Sequence, residues 1–149
     1  MAGRCEARGW KVKVEPYIRA TPNAKEPLKP DILLTGRIPG SDDDEKHVFV
    51  VDVPVVTDAE GGLETSQQQK KLRYGLPPAR RGFAARATPQ VEDYARKWAG
   101  LPHAEVRVMG IIWNWRGIID PESALFISEV LKLRKGFLSL TSRVCLEYG

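Results

Sequence analysis

Residues 47–56 read HVFVVDVPVV, and this stretch decides the fold. It is a run of β-branched and aromatic residues of the kind that forms a buried strand. A carboxylate, Asp52, stands inside it, and a proline, Pro54, follows two residues later. Burying an unpaired charge among apolar groups costs several kcal/mol or forces the group to neutralise. Either Asp52 is a satisfied structural carboxylate, or something positive lies beside it in the fold. Upstream, residues 31–34 (DILL) form a short apolar strand, and residues 36–46 form a charged turn. The two strands joined this way predict an antiparallel hairpin with a long solvated tip. The acidic tip, Asp42 to Asp44, serves solubility; nothing in the sequence fixes a geometry there that would hold a metal.

Outward from the hairpin the elements alternate. Residues 10–18 (WKVKVEPYI) alternate polar and apolar and predict a half-buried first strand, and residues 19–29 form a loop. Residues 63–74 (LETSQQQKKLRY) are good helix formers and stop at Gly75. Residues 76–87 are rich in proline and arginine, lack any periodicity, and are assigned to a loop. Thr88-Pro89 is an N-cap followed by proline at the first helical position, and Val91, Tyr94, Ala95 and Trp98 share one face up to Gly100. Residues 105–115 (EVRVMGIIWNW) predict another strand, with Ile111, Trp113 and Trp115 on one side in the core. Asp120-Pro121 opens a helix carrying Leu125, Phe126, Val130 and Leu133, and Phe137, Leu140, Val144 and Cys145 mark a last helix. The expected order is β-β-β-α-α-β-α-α: an α/β core in which an antiparallel hairpin feeds a mixed sheet flanked by helices.

At 149 residues, 42% hydrophobic and 28% charged, the chain is sized and composed for one globular domain. A formal charge of +4 permits a nucleic-acid partner without requiring one. Cys5 and Cys145 fit no metal-binding spacing, so free thiols in a reducing compartment are expected. His47 and His103 have no Cys or His partner at metal spacing and are read as structural. No membrane-length apolar run or signal peptide is present. The sequence stops inside an apparent helix, which is expected of a domain cut from a longer protein.

The hairpin places Asp31, at the start of its first strand, near Asp52 on its second, since antiparallel neighbours face each other at about 5 Å. Two carboxylates so close repel unless a cation intervenes. A divalent metal would do so, and hard oxygen ligands select Mg²⁺ or Mn²⁺. The plainer reading is that Asp31 caps a turn and Asp52 pairs with a buried arginine. On the pattern alone, both stand.

Five pieces in order bear on that choice: Val14-Glu-Pro-Tyr-Ile-Arg19, Lys29-Pro-Asp-Ile32, Val51-Asp-Val53, Lys70 through Tyr74-Gly75, and Trp115-Arg-Gly117. Together they resemble the PD-(D/E)xK nuclease superfamily, and within it the restriction-like endonuclease domain of site-specific non-LTR retrotransposons, over most of the chain. The resemblance implies a restriction-endonuclease-like core, with Asp31 and Asp52 as metal ligands and catalytic residues. The usual lysine two residues past the second carboxylate is replaced here by Pro54, and the retrotransposon branch is similar in taking its lysine from the following helix. Lys70 stands at that place, with Lys71 its rival. Glu15 and Arg19 are implied as supporting residues, Glu15 through water to the metal; on the residues alone they read as a strand-end ion pair. Tyr74 lines the site or packs the helix. Arg80, Arg81, Arg86 and Arg116 are candidate DNA contacts, with Lys97 and Arg107 weaker ones. The implied function is a nick in target DNA whose 3′-hydroxyl primes reverse transcription. The partners would be target DNA and the reverse transcriptase and DNA-binding domains of the parent protein, in the nucleus. A Holliday-junction resolvase, or an idle nuclease fold kept for DNA binding, are the alternatives.

Overall fold

A computed structural model describes residues 2–18, 28–40, 44–56, 62–78, 80 and 83–133. The expected last helix, and with it Cys145, lies outside the described residues, as do Arg19, Arg81, Asp42 and Asp43. The elements are α1 (Ala2–Ala7), β1 (Lys11–Val14), β2 (Ile32–Gly36), β3 (His47–Asp52), β4 (Val55–Val56), α2 (Gly62–Tyr74), β5 (Ala85–Arg86), α3 (Pro89–Ala99), β6 (Val106–Gly110), β7 (Trp113–Asn114) and α4 (Pro121–Leu125), which runs on into one π-helical turn, Phe126–Val130. The main sheet has the order β1-β2-β3-β6-β5, antiparallel except for the parallel β3–β6 pair. The protein is therefore a mixed α/β fold with a mixed sheet between helices.

The central strands β2 and β3 are buried on both faces, which is why residues 47–52 read as a continuous apolar run rather than an alternation. Ile32, Leu34, Phe49, Val51 and Met109 pack on one side with Cys5, Trp10, Phe126, Ile127 and Leu131. Leu33, Val48, Val50, Val106 and Val108 pack on the other with Tyr74 and with Val91 and Ala95 of α3. Asp52 continues the series Val48, Val50 onto this second face, because side chains alternate with period two. The hairpin register ends at Ile32 opposite Val51, so one more step sets Asp31 across from Asp52.

Several expectations change. The first strand ends at Val14, not Ile18, because Glu15 turns into a positive-φ conformation (φ 51°). The loop over 76–87 contains β5, which pairs with β6. The N-terminal α1 has no counterpart among the expected elements. The hydroxyl of Thr88 makes no capping bond, although Gly100 does end α3 in the left-handed conformation (φ 69°), its N–H donating to the Arg96 and Lys97 carbonyls. The strand over 105–115 breaks into β6 and β7, and the second half pairs with β4 in a separate two-stranded sheet. Trp113 is buried there, whereas Trp115 sits in the following turn, 41% exposed, and is not a core residue. In the last described helix the π turn rotates the buried face to Phe126, Ile127 and Leu131, leaving Leu125 exposed. Among the described residues no helix is long and apolar enough to cross a membrane.

Candidate catalytic site at the end of the central hairpin

The hairpin opens at its Asp31–Asp52 end, and backbone and side chains there are interlocked. The Asp31 N–H donates to Asp52 Oδ1 at 3.2 Å, and the Val53 N–H donates to Asp31 Oδ2 at 2.6 Å. Each carboxylate thus accepts a main-chain donor from the other's strand, which fixes both side chains on one spot. Asp52 is 7% exposed and Asp31 half-buried. Burial pushes the Asp31 carboxyl above its ordinary range; Asp52 adds to this by hydrogen bond and by charge, while the Val53 N–H and the Lys70 ammonium pull it down.

The cation comes from α2. Lys70 Nζ lies 2.8 Å from Asp52 Oδ2. The partner of Asp52 is therefore a lysine from a helix, not a buried arginine. Lys71, one residue on and about 100° around the helix, points elsewhere. Its side chain is fully buried, with Nζ 3.1 Å from both carboxylate oxygens of Glu122 and 3.0 Å from the Arg80 carbonyl.

What sets this rotation is a polar seam under α2. Its buried residues are Gln67, Lys71 and Tyr74, at i, i+4 and i+7. The Gln67 amide clamps Gly110 of β6 on both sides, accepting from its N–H at 2.8 Å and donating to its carbonyl at 2.7 Å. Its NH₂ also lies 2.9 Å from Asp120 Oδ2 and 3.1 Å from the Ser123 hydroxyl. Glycine at 110 is required for this approach: a Cβ there would come within 2.8 Å of Gln67 Oε1 and 2.7 Å of Ile112 Cδ1. Gly110 is the β6 neighbour of Asp52, so the clamp sets α2 beside the carboxylate pair. One turn beyond Lys70, Tyr74 is buried, and its phenol is held more firmly protonated by burial and by the negative charges of Asp52 and Asp31. None of Gln67, Ser123 and Glu122 stands out in the sequence, and Asp120 does so only as a helix start, because each is an ordinary polar residue until the fold joins positions 40 to 60 residues apart. The one available signal is that Gln67, Lys71 and Tyr74 share a helical face.

The other expected residues are more dispersed. Glu15 donates its N–H to the Asp31 carbonyl at 2.7 Å, and its exposed side chain lines an open cleft of about 420 Å³ with Tyr17, Lys29, Pro30 and Asp31. Among the described residues no three His, Cys, Asp or Glu side chains converge as a ready metal cage. The carboxylate pair alone offers a partial set of hard oxygen donors. Arg80 is exposed at the end of the loop whose carbonyl receives Lys71. Arg86 pairs with Glu92 at 3.7 Å. Arg116 lies 4.9 Å over the Trp115 ring, in a turn pinned by the Asn114 side chain through the Arg116 and Ile118 N–H groups. Lys97 pairs with Asp93 and Arg107 with Glu105 on the surface. His47 stacks on Phe49, consistent with a packing role.

The arrangement is two carboxylates with one ammonium, Lys70, in ion-pair contact, beside a cleft whose wall also carries Glu15 and Lys29, and one carboxyl is biased toward protonation. Such a site is short of positive charge and can take up a hard cation through oxygen ligands. Its lysine could then face a phosphate. No protein-family model and no curated protein matches this chain.

Proposed function

We propose that the protein is a divalent-metal-dependent DNA endonuclease with a restriction-endonuclease-like core. The reading rests above all on the 2.8 Å contact of Lys70 with Asp52. Pro54 stands where a strand lysine would be, and the ammonium arrives instead from the following helix. Asp31 and Asp52 would hold Mg²⁺ or Mn²⁺, and their oxygen donors and surplus negative charge suit such an ion. A divalent ion at that place supplies positive charge for activating water and neutralising the phosphate. Lys70 would then leave Asp52 and donate to a phosphate oxygen or to the attacking water, stabilising charge as it develops. Glu15 would act from the cleft rim, and Tyr74 as a neutral wall behind Asp52. Arg80, Arg86 and Arg116 would meet the DNA backbone. The ordered resemblance extends the proposal to a nicking activity whose 3′-hydroxyl primes reverse transcription in a non-LTR retrotransposon protein acting in the nucleus.

Nicking of supercoiled plasmid in Mg²⁺ or Mn²⁺ tests this, with wild type beside Asp52→Ala. Wild type is expected to nick and the variant not to; equal cleavage by both would remove the carboxylate pair from the chemistry. Binding of DNA without any nicking by wild type would favour the idle fold. Preference for four-way junctions over linear duplex would favour a resolvase.

A further inference from the structure

A cavity lies away from the carboxylate pair, at the opposite end of β2. It measures about 520 Å³ and is lined by four cations, Arg8, Lys11, Arg37 and Lys46, and among the described residues no acidic side chain lines it. Thr35 also lines it. That residue is 6% exposed, and its hydroxyl is buried without a hydrogen-bond partner. A buried hydroxyl left unsatisfied costs about 1–3 kcal/mol, and an anion seated among these cations would give it an acceptor. Two of the cations are lightly engaged. Lys11 Nζ donates to the Trp98 carbonyl at 3.1 Å, and Arg37 meets Asp44 at 3.2 Å in a pair 59% and 91% exposed, the kind of surface contact that contributes little. Among the described residues Arg8 and Lys46 form no ion pair.

Thr35 and Asp31 point to the same face of the same strand, four residues apart, or roughly 13 Å along β2. Lys11 and Lys13 of β1 lie along the same edge between them; Lys11 is opposite Thr35 and Lys13 opposite Leu33. We propose that the Thr35 pocket is a phosphate-binding site that grips the polynucleotide backbone at a distance from the carboxylate pair. Thr35 donates its hydroxyl to a phosphate oxygen, and Arg8 and Lys46 supply the charge. The choice of a polynucleotide as the source of that phosphate rests on the endonuclease reading; the anion chemistry of the pocket does not.

Binding is therefore measured in EDTA, where no cleavage enters, by fluorescence anisotropy of a labelled duplex over a salt series. The double variant Arg8→Ala/Lys46→Ala should weaken binding by about tenfold or more and lower the slope of log affinity against log salt by about two, one for each lost phosphate contact. Thr35→Val, which keeps the shape, should weaken binding by about tenfold while leaving Tm unchanged or raised, since the hydroxyl it removes has no partner in the free protein. Unchanged affinity and slope in both variants would overturn the proposal. Saturable binding of inorganic phosphate that is lost in Thr35→Val, with duplex binding unaffected, would overturn the polynucleotide assignment in favour of a free phosphate compound. Should Asp52→Ala still nick plasmid while these variants lose DNA, the endonuclease site fails and the backbone grip stands.

Discussion

Lys70 and Lys71 are neighbours on one helix and end in opposite circumstances. Lys71 is fully buried, bonded to both oxygens of one carboxylate and to a carbonyl; Lys70 is 23% exposed and faces two carboxylates with one charge. The first pair is enclosed and directly hydrogen-bonded, as a structural ion pair must be to offset its desolvation. The second is short of one positive charge, opens on a cleft, and holds Asp31 with its carboxyl pushed up. On the proposed function, a divalent ion completes it, and the contrast separates the residue that positions α2 from the one that would face the chemistry.

The contrast breaks most sharply at Lys71. Lys71→Ala would leave the Glu122 carboxylate buried without its ammonium and should lower stability by about 3–5 kcal/mol, read as an earlier midpoint in urea. The fraction that remains folded should keep its nicking rate. A stability loss no larger than that of an exposed lysine would mean the pair is not enclosed as described. Lys70→Ala should behave the other way round. Its folding midpoint should fall by less than that of Lys71→Ala, because Lys70 is itself partly exposed and Asp52 keeps the Asp31 N–H, and single-turnover nicking should fall by about 10²–10³-fold, the scale of losing one transition-state charge stabiliser. The reverse ranking of the two variants would assign the chemistry to the wrong lysine.

A smaller effect sharpens the same contrast through pH. Because the Asp31 carboxyl is raised in the folded protein, its ionisation opposes folding. That cost is absent at pH values below the ordinary carboxyl range, grows as pH rises through the raised value, and stays constant above it. Asp31→Asn, which can still accept from the Val53 N–H, should therefore melt above wild type at neutral pH, with the gap closing as the pH approaches about 4. The variant should also lose nicking. A neutral-pH melting point below that of wild type would mean that the charge on Asp31 is a structural asset.

Much of this architecture is legible in the residues themselves. The double burial of β3 makes residues 47–52 an unbroken apolar run, so Asp52 stands out, and counting the hairpin register back from it sets Asp31 opposite. Thr88-Pro89 and Gly100 bound α3 because backbone conformation at helix ends is dictated locally. The rest depends on distant partners. Lys71 looks like a surface lysine until Glu122 arrives from 51 residues away. The buried face of α2 is polar, so no hydrophobic period announces it. The alternation that puts Trp115 with Trp113 is broken by a turn that Asn114 builds with its side chain. Thr35 is one more strand threonine until its hydroxyl is found without a partner.

The central claim is that the carboxylate pair is a cation site in which Lys70 stands as a partial substitute. Mn²⁺ titration followed by electron paramagnetic resonance tests it most directly, comparing wild type with Asp52→Asn and Lys70→Ala. The account predicts saturable binding by wild type, its loss in Asp52→Asn, and its survival or tightening in Lys70→Ala, where the competing ammonium is gone. Binding that is unchanged in Asp52→Asn, or abolished in Lys70→Ala, would contradict it.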